Sequence, residues 1–156
     1  MRSTSKKQSL QTTSVTSAGS LLDTGPLVAA LDRRDPLHEW AAQQLRSLQP
    51  PLLSCEAVLS EAGYLMRRSG LDESLPLGWV TSGTLQLEPS VPSVRESGVL
   101  RRLMERYSNV PMSFADACIV RLAERNPGAH LLTFDSDFRI YRTADGRAIP
   151  LLTPGQ

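Results

Sequence analysis

Short apolar runs alternate with longer segments of helical periodicity along most of this chain. Ser20–Leu22, Leu52–Leu53 and His130–Phe134 are short enough to be buried strands. Between them, 54–68 and 113–125 place apolar side chains at the three- and four-residue spacing of a helix. Strands that alternate with helices favour a parallel sheet covered by helices on both faces, and we predict such an α/β fold.

Capping and turn residues set further boundaries. Asp35-Pro36 is expected to open a helix, and Ser54 is expected to cap the next one. Thr84–Leu87 is a further strand candidate. The segments Phe138–Tyr141 and Ala148–Leu152 are expected to form a short hairpin or a final strand around Asp-Gly.

The first 18 residues differ in composition from the rest of the chain. They are rich in Ser, Thr and Gln, and their charged residues, Arg2, Lys6 and Lys7, are all basic. Such a segment buries too little apolar surface to fold, so residues 1–18 are expected to form a disordered tail. Residues 19–156 show no internal repeat and no second segment of distinct composition, and we predict that they form a single domain.

The cysteines and the hydropathy indicate the compartment. Cys55 and Cys118 lie among apolar residues of predicted helices, so we expect both to be buried and reduced. No histidine accompanies them at zinc-site spacing. No apolar run approaches the roughly 18–20 residues of a membrane span. We therefore expect a cytoplasmic protein with no membrane partner.

Two candidate site residues follow directly after predicted strands. Asp23 comes after the first apolar run, and Asp135 comes after His130–Phe134. In open parallel sheets the functional crevice lies beyond the carboxyl ends of the strands, so both acids are placed there. Each has a structural alternative: Asp23 is a good helix cap, and Asp135 with Asp137 suits an Asx turn.

Glu61 lies in the predicted helix 54–68 with apolar neighbours. Val58, Ala62 and Leu65 surround it at helical spacing, so we expect its carboxylate on or beside the buried stripe. A buried carboxylate must be paired, protonated or bound to a cation. An ion pair with one of the many arginines is the structural alternative.

Asp116 has a similar position in the predicted helix 113–125. It shares a helical face with Ile119 and Val120, so it is expected to point inward. The alternative is a capping box, because Ser113 and Asp116 have the spacing of one.

These acids are predicted to meet near one edge of the sheet. Packed carboxylates repel one another, and a divalent cation removes the conflict. Ligands that are all oxygen suit Mg²⁺ or Mn²⁺. Such an ion assists hydrolysis of phosphodiesters. Exposed arginine pairs at 33–34 and 67–68 are candidate contacts to a nucleic-acid backbone, or else ordinary surface.

Four segments resemble, in order, those of the PIN domain. They are LLDTGPLVAAL, LSEAGYLMRR, MSFADACIVRLA and LLTFDSDFRIYR, and the resemblance as a whole covers roughly residues 20–154. Within that family the chain is most similar to the VapC-type toxins of bacterial toxin–antitoxin pairs. The resemblance implies a three-layer α/β/α sandwich with a central, mainly parallel sheet of about five strands.

The resemblance also implies the roles of individual residues. By position, Asp23, Glu61, Asp116 and Asp135 correspond to the four acids that are catalytic and bind the metal. Asp137 corresponds to an acid that sometimes assists as a metal ligand. Thr133 corresponds to a hydroxyl that orients the site, and Ser113 supports it as a cap.

The implied activity is endoribonuclease cleavage that depends on Mg²⁺ or Mn²⁺. The implied partners are an RNA substrate, a cognate antitoxin whose tail covers the acidic groove, and a second copy of the chain in a homodimer.

The sequence leaves two other functions open and disfavours two more. A related nuclease acting on DNA and a non-catalytic binding or regulatory module both stay open. A phospho-receiver is disfavoured, because the only lysines, Lys6 and Lys7, lie in the tail. A Ser or Cys hydrolase is disfavoured, because neither histidine accompanies a nucleophile at a strand-to-helix turn.

Overall fold

A computed structural model describes residues 19–155 of the chain. The predicted tail, residues 1–18, therefore lies outside the described residues. The strands, in chain order, are β1 (Ser20–Leu22), β2 (Leu52–Cys55), β3 (Leu85–Glu88), β4 (His130–Leu132) and β5 (Leu151–Leu152). The helices are α1 (Thr24–Leu31), α2 (His38–Ser47), α3 (Glu56–Arg68), α4 (Leu75–Thr81), α5 (Val94–Arg106) and α6 (Phe114–Arg125), with a short 3-10 helix at Ser136–Arg139.

The five strands form one sheet in the order β3-β2-β1-β4-β5, and each neighbouring pair is parallel. The helices flank this sheet, which confirms the predicted α/β/α architecture. Strand β1 lies at the centre, with Leu21 opposite Leu53 of β2 and Leu22 opposite Leu132 of β4. Leu21 and Leu22 are fully buried, as the two faces of a covered parallel sheet require.

The start of α3 differs from the prediction at Ser54. Ser54 is not the helix cap; it is the third residue of β2, and its buried hydroxyl donates to the carbonyl of Leu22 at 2.9 Å. Pairing with β3 extends β2 as far as Cys55, which lies opposite Glu88 and is the N-cap of α3. Cys55 is therefore a strand residue rather than a helical one.

Two other segments also differ from the prediction. Helix α2 begins at His38, because the Asp35 carboxylate accepts a hydrogen bond from the Leu37 amide at 2.8 Å and holds a turn before the helix. The first two residues of the predicted strand at 138–141 belong to the 3-10 helix, which Asp135 caps. The antiparallel bridge between Arg142 and Ala148 and strand β5 confirm the hairpin and final strand that follow.

Cys55 and Cys118 are both buried and both free thiols, as predicted. Within residues 19–155, no helix is both long and apolar enough to cross a membrane.

A partly buried ion network joins α5 to α6. The Arg121 guanidinium donates to Glu96 of α5 at 2.6 Å and to Glu124 one turn along α6. The side chain of Arg121 is 20% exposed, while the Arg101–Glu105 pair on the outer face of α5 has an 81% exposed arginine. The Arg121 hydrogen bond lowers the pKa of Glu96. Removal of Arg121 would therefore leave Glu96 and Glu124 poorly solvated and without that partner.

Arg121→Met is expected to lower the free energy of unfolding by about 2–3 kcal/mol at pH 7. The matched variant Arg101→Met, which breaks an exposed pair of similar length, should cost less than about 0.5 kcal/mol. The Arg121 effect should shrink below the ordinary Glu pKa, because protonation of Glu96 removes its attraction for the arginine. Urea unfolding of the three proteins measures this, and equal losses for the two variants would contradict it.

Candidate active site

Asp23 lies at the centre of the candidate site. It directly follows β1 and is the N-cap of α1, so the cap interpretation is correct as a description of its backbone. Its Oδ1 accepts from the Thr24 amide at 2.8 Å, and its Oδ2 accepts from the Thr133 hydroxyl at 2.7 Å. Only 6% of Asp23 is exposed. The carboxylate is thus held in one orientation at the end of the central strand.

Thr133 and Asp135 lie in the segment that follows the neighbouring strand β4. Thr133 is fully buried, and its hydroxyl donates to Asp23 while it accepts from the Asp135 amide at 3.0 Å. Asp135 Oδ1 accepts from the Asp137 amide at 2.9 Å, which is the predicted Asx turn. Thr133 therefore ties the loop that carries Asp135 to the end of β1.

Glu61 reaches the same region from α3, but it is exposed rather than buried. Its helical neighbours Val58 and Ala62 are buried, while the Glu61 side chain lies on the edge of that stripe. The helical pattern placed the backbone correctly but could not show that the sheet edge leaves the carboxylate open to solvent. Thr24 donates its hydroxyl to Glu61 Oε2 at 3.1 Å. Thr24 thereby contacts both Asp23 and Glu61.

Asp116 is half-buried at the N-terminus of α6. Ser113 and Asp116 form the predicted capping box, with the Ser113 amide donating to Asp116 Oδ2 at 2.9 Å. The hydroxyl of Tyr141 lies 3.5 Å from the same oxygen. No described residue donates to Oδ1 of Asp116, so that oxygen stays available to a ligand.

The pKa shifts of Asp23 and Asp116 reflect burial and the charges of the neighbouring acids. Burial raises the pKa of Asp23 to about 7; hydrogen bonds from Thr133 and Thr24 oppose this shift, and the charges of Asp116 and Glu61 add to it. Burial also raises the pKa of Asp116, and the charges of Asp135 and Glu61 contribute. These mutual effects require the four acids to lie near one another.

The site offers only oxygen ligands, and no described arginine forms an ion pair with Asp23, Glu61, Asp116 or Asp135. The alternative of a Glu61–arginine pair is therefore not observed. Across residues 19–155, no three Asp, Glu, His or Cys side chains already converge on one ion position. Binding would thus need side-chain rotation. A hard divalent cation still fits the donor set, because the neighbouring carboxylates, two of which (Asp23 and Asp116) have raised pKa values, favour a positive charge between them.

Asp137 and the arginine pairs contribute less than expected. The Asp137 amide supports Asp135, but its carboxylate forms no hydrogen bond with another described residue. Arg34 pairs with Asp32 at 3.0 Å, and Arg67 pairs with Glu73 at 3.2 Å. Arg68 lies against the ring of Tyr64. Most of these cations are thus already in surface contacts.

Sequence reasoning missed two residues of this site. Thr24 links Asp23 to Glu61, and Tyr141 contacts Asp116. The hydroxyl of Thr24, directly after an acid at a strand end, is a signal that could have been noticed. Tyr141 lies 25 residues from Asp116, and no local pattern connects the two.

Comparison with known proteins identifies the fold and the family of the chain. The crystal structure of the Mycobacterium tuberculosis toxin VapC20, described as cleaving the sarcin-ricin loop, superposes with a TM-score of 0.65 at 21% sequence identity, covering 76% of this chain and 92% of that chain. No curated protein sequence matches this chain. The family model of the PIN domain matches residues 20–144. That match takes in β1 through the 3-10 helix, and the chain belongs to the PIN domain family.

Proposed function

We propose that this protein is an endoribonuclease that depends on a divalent metal and acts as the toxin of a type II toxin–antitoxin pair. The observation that carries the proposal is that Asp23, Glu61, Asp116 and Asp135 lie close enough for their charges to act on one another, and that none of them pairs with an arginine among the described residues. Membership of the PIN domain family supports it.

The four acids would hold Mg²⁺ or Mn²⁺, and Asp137, beside Asp135, would be an additional ligand. When bound, such an ion supplies charge neutralisation and Lewis-acid stabilisation at the reacting phosphodiester. The chain supplies the arrangement of the oxygens. Thr24 and Thr133 fix both oxygens of Asp23. The Asp116 carboxylate is held through Oδ2 and the Asp135 carboxylate through Oδ1, which leaves one oxygen of each to face a cation.

RNA is the substrate we favour, and an antitoxin and a second copy of the chain are the partners. The similar fold of VapC20, which is described as a toxin that cleaves the sarcin-ricin loop, supports the choice of RNA. Four neighbouring acids that pair with no arginine among the described residues are suited to a partner that presents a cation to them. This function places the protein in the cytoplasm with its RNA.

Purified protein is expected to cleave RNA in Mg²⁺ or Mn²⁺ and to lose the activity in EDTA. Asp23→Asn should lower kcat at least about a hundredfold, because it removes the central carboxylate while keeping its shape. The control Glu105→Gln changes an exposed acid of α5 and should cleave like the wild type. A gel assay with labelled RNA and DNA oligonucleotides of one sequence measures all of these.

Cleavage that resists EDTA, or that is equal in Asp23→Asn and wild type, would contradict the metal-dependent nuclease. Preferential cleavage of the DNA oligonucleotide would instead favour a DNA nuclease. Growth inhibition that persists on expression of an Asp116→Asn variant would favour a non-catalytic binding module.

The burial of Asp23 predicts a pH dependence of stability in the metal-free protein. The pKa of Asp23 is raised from 3.8 to about 7 in the folded state, so ionisation of this group opposes folding as the pH rises between those values. Asp23→Asn cannot ionise. Its free energy of unfolding should therefore increase relative to wild type between pH 4 and 7, by at most about 1.4 kcal/mol per pH unit.

Urea unfolding in EDTA at pH 5 and pH 8 measures this difference. The control Asp72→Asn alters an exposed acid whose pKa is lowered by hydrogen bonds from Ser74, so it should show no such gain. A stability difference between Asp23→Asn and wild type that is the same at both pH values would show that Asp23 is not destabilised by burial.

A further inference from the structure

We propose that Tyr141 is a positioning residue, whose hydroxyl holds Asp116 so that one carboxylate oxygen faces the cation site. The inference rests on the proposed metal-dependent nuclease function and adds a residue to its site. Tyr141 follows the 3-10 helix, near the end of the segment LLTFDSDFRIYR, and the resemblance assigns it no role.

The ring of Tyr141 is held rigidly. Its side chain is fully buried, and it packs edge-on against Phe138 at 5.3 Å and against Tyr107 at 5.1 Å between ring centroids. Aromatic pairs of this geometry restrict both rings beyond the effect of burial alone. The hydroxyl therefore has little freedom to move away from its neighbours.

The hydroxyl of Tyr141 points to Asp116. It lies 3.5 Å from Oδ2, the oxygen that also accepts from the Ser113 amide at 2.9 Å. Among the described residues, Asp116 is the acceptor for this buried hydroxyl, and none donates to Oδ1. With two donors on one oxygen, the carboxylate is oriented and its other oxygen is left for a ligand.

Tyr141 also belongs to the segment after β4 that carries Asp135 and Asp137. Its amide donates to the carbonyl of Asp137 at 3.2 Å, and Asp137 in turn supports Asp135. Burial raises the pKa of Tyr141, and the charges of Asp116, Asp137 and Asp135 add to the shift, so the hydroxyl keeps its proton and stays a donor. The residue thus joins the α6 carboxylate to those after β4.

Tyr107 provides the contrast within the same aromatic cluster. Its hydroxyl accepts from the Arg142 amide at 3.0 Å and contacts no carboxylate of the site. A purely structural role for the Tyr141 hydroxyl would make Tyr141→Phe resemble Tyr107→Phe. A positioning role predicts that the two variants differ in metal binding.

Tyr141→Phe keeps the ring and removes the donor. We expect Mn²⁺ affinity, measured by isothermal titration calorimetry on metal-free protein, to fall about tenfold. The kcat for RNA cleavage should fall by a similar factor, while KM for RNA stays within about twofold. Tyr107→Phe should keep wild-type Mn²⁺ affinity and kcat, whatever it does to thermal stability.

A double-mutant cycle keeps the test valid if Tyr141→Phe loses stability. If Tyr141 acts through Asp116, adding Tyr141→Phe to Asp116→Asn should lower Mn²⁺ affinity no further. Additive losses would overturn the inference. Wild-type Mn²⁺ affinity and kcat in Tyr141→Phe, with RNA cleavage by the wild type intact, would overturn the inference and leave the nuclease function standing. A wild-type protein that binds no Mn²⁺ would overturn both.

Discussion

The buried carboxylate of Asp23 is the constraint on which the rest of the site depends. A charge at the end of the central strand is costly in a covered sheet, and the chain offsets the cost with hydrogen bonds from the Thr24 amide and the Thr133 hydroxyl. The Thr133 bond also fixes the loop after β4, because the same hydroxyl accepts from the Asp135 amide. These hydrogen bonds do not fully offset the burial, so the pKa of Asp23 stays raised, and a nearby cation would lower it.

Much of the fold could be predicted because its signals are local. The apolar run before Asp23 and the alternation of runs with helical segments are enough to specify a parallel sheet. The caps could also be predicted from the sequence: the structure contains the Asp23 cap, the Ser113–Asp116 capping box and the Asx turn at Asp135. A carboxylate can therefore cap a helix or turn and also belong to the acid cluster, because it has two oxygens that can accept from different donors.

The rest depended on contacts that local patterns do not contain. Periodicity placed Glu61 beside an apolar stripe, but the end of the sheet leaves its side chain exposed. Serine is a residue type favoured at helix N-caps, yet pairing with β3 extends strand β2 past Ser54. Tyr141 meets Asp116 through tertiary packing, across 25 residues of sequence. Each of these outcomes is decided by tertiary packing rather than by residue type.

The central claim is that carboxylates from distant parts of the chain share one divalent cation. Anomalous diffraction from a crystal grown with Mn²⁺ tests it most directly. We expect a peak within about 2.0–2.6 Å of oxygens from Asp23 and at least one of Asp116 and Asp135. A crystal with no peak there at saturating Mn²⁺, and with Asp23 bonded only to Thr24 and Thr133, would contradict it.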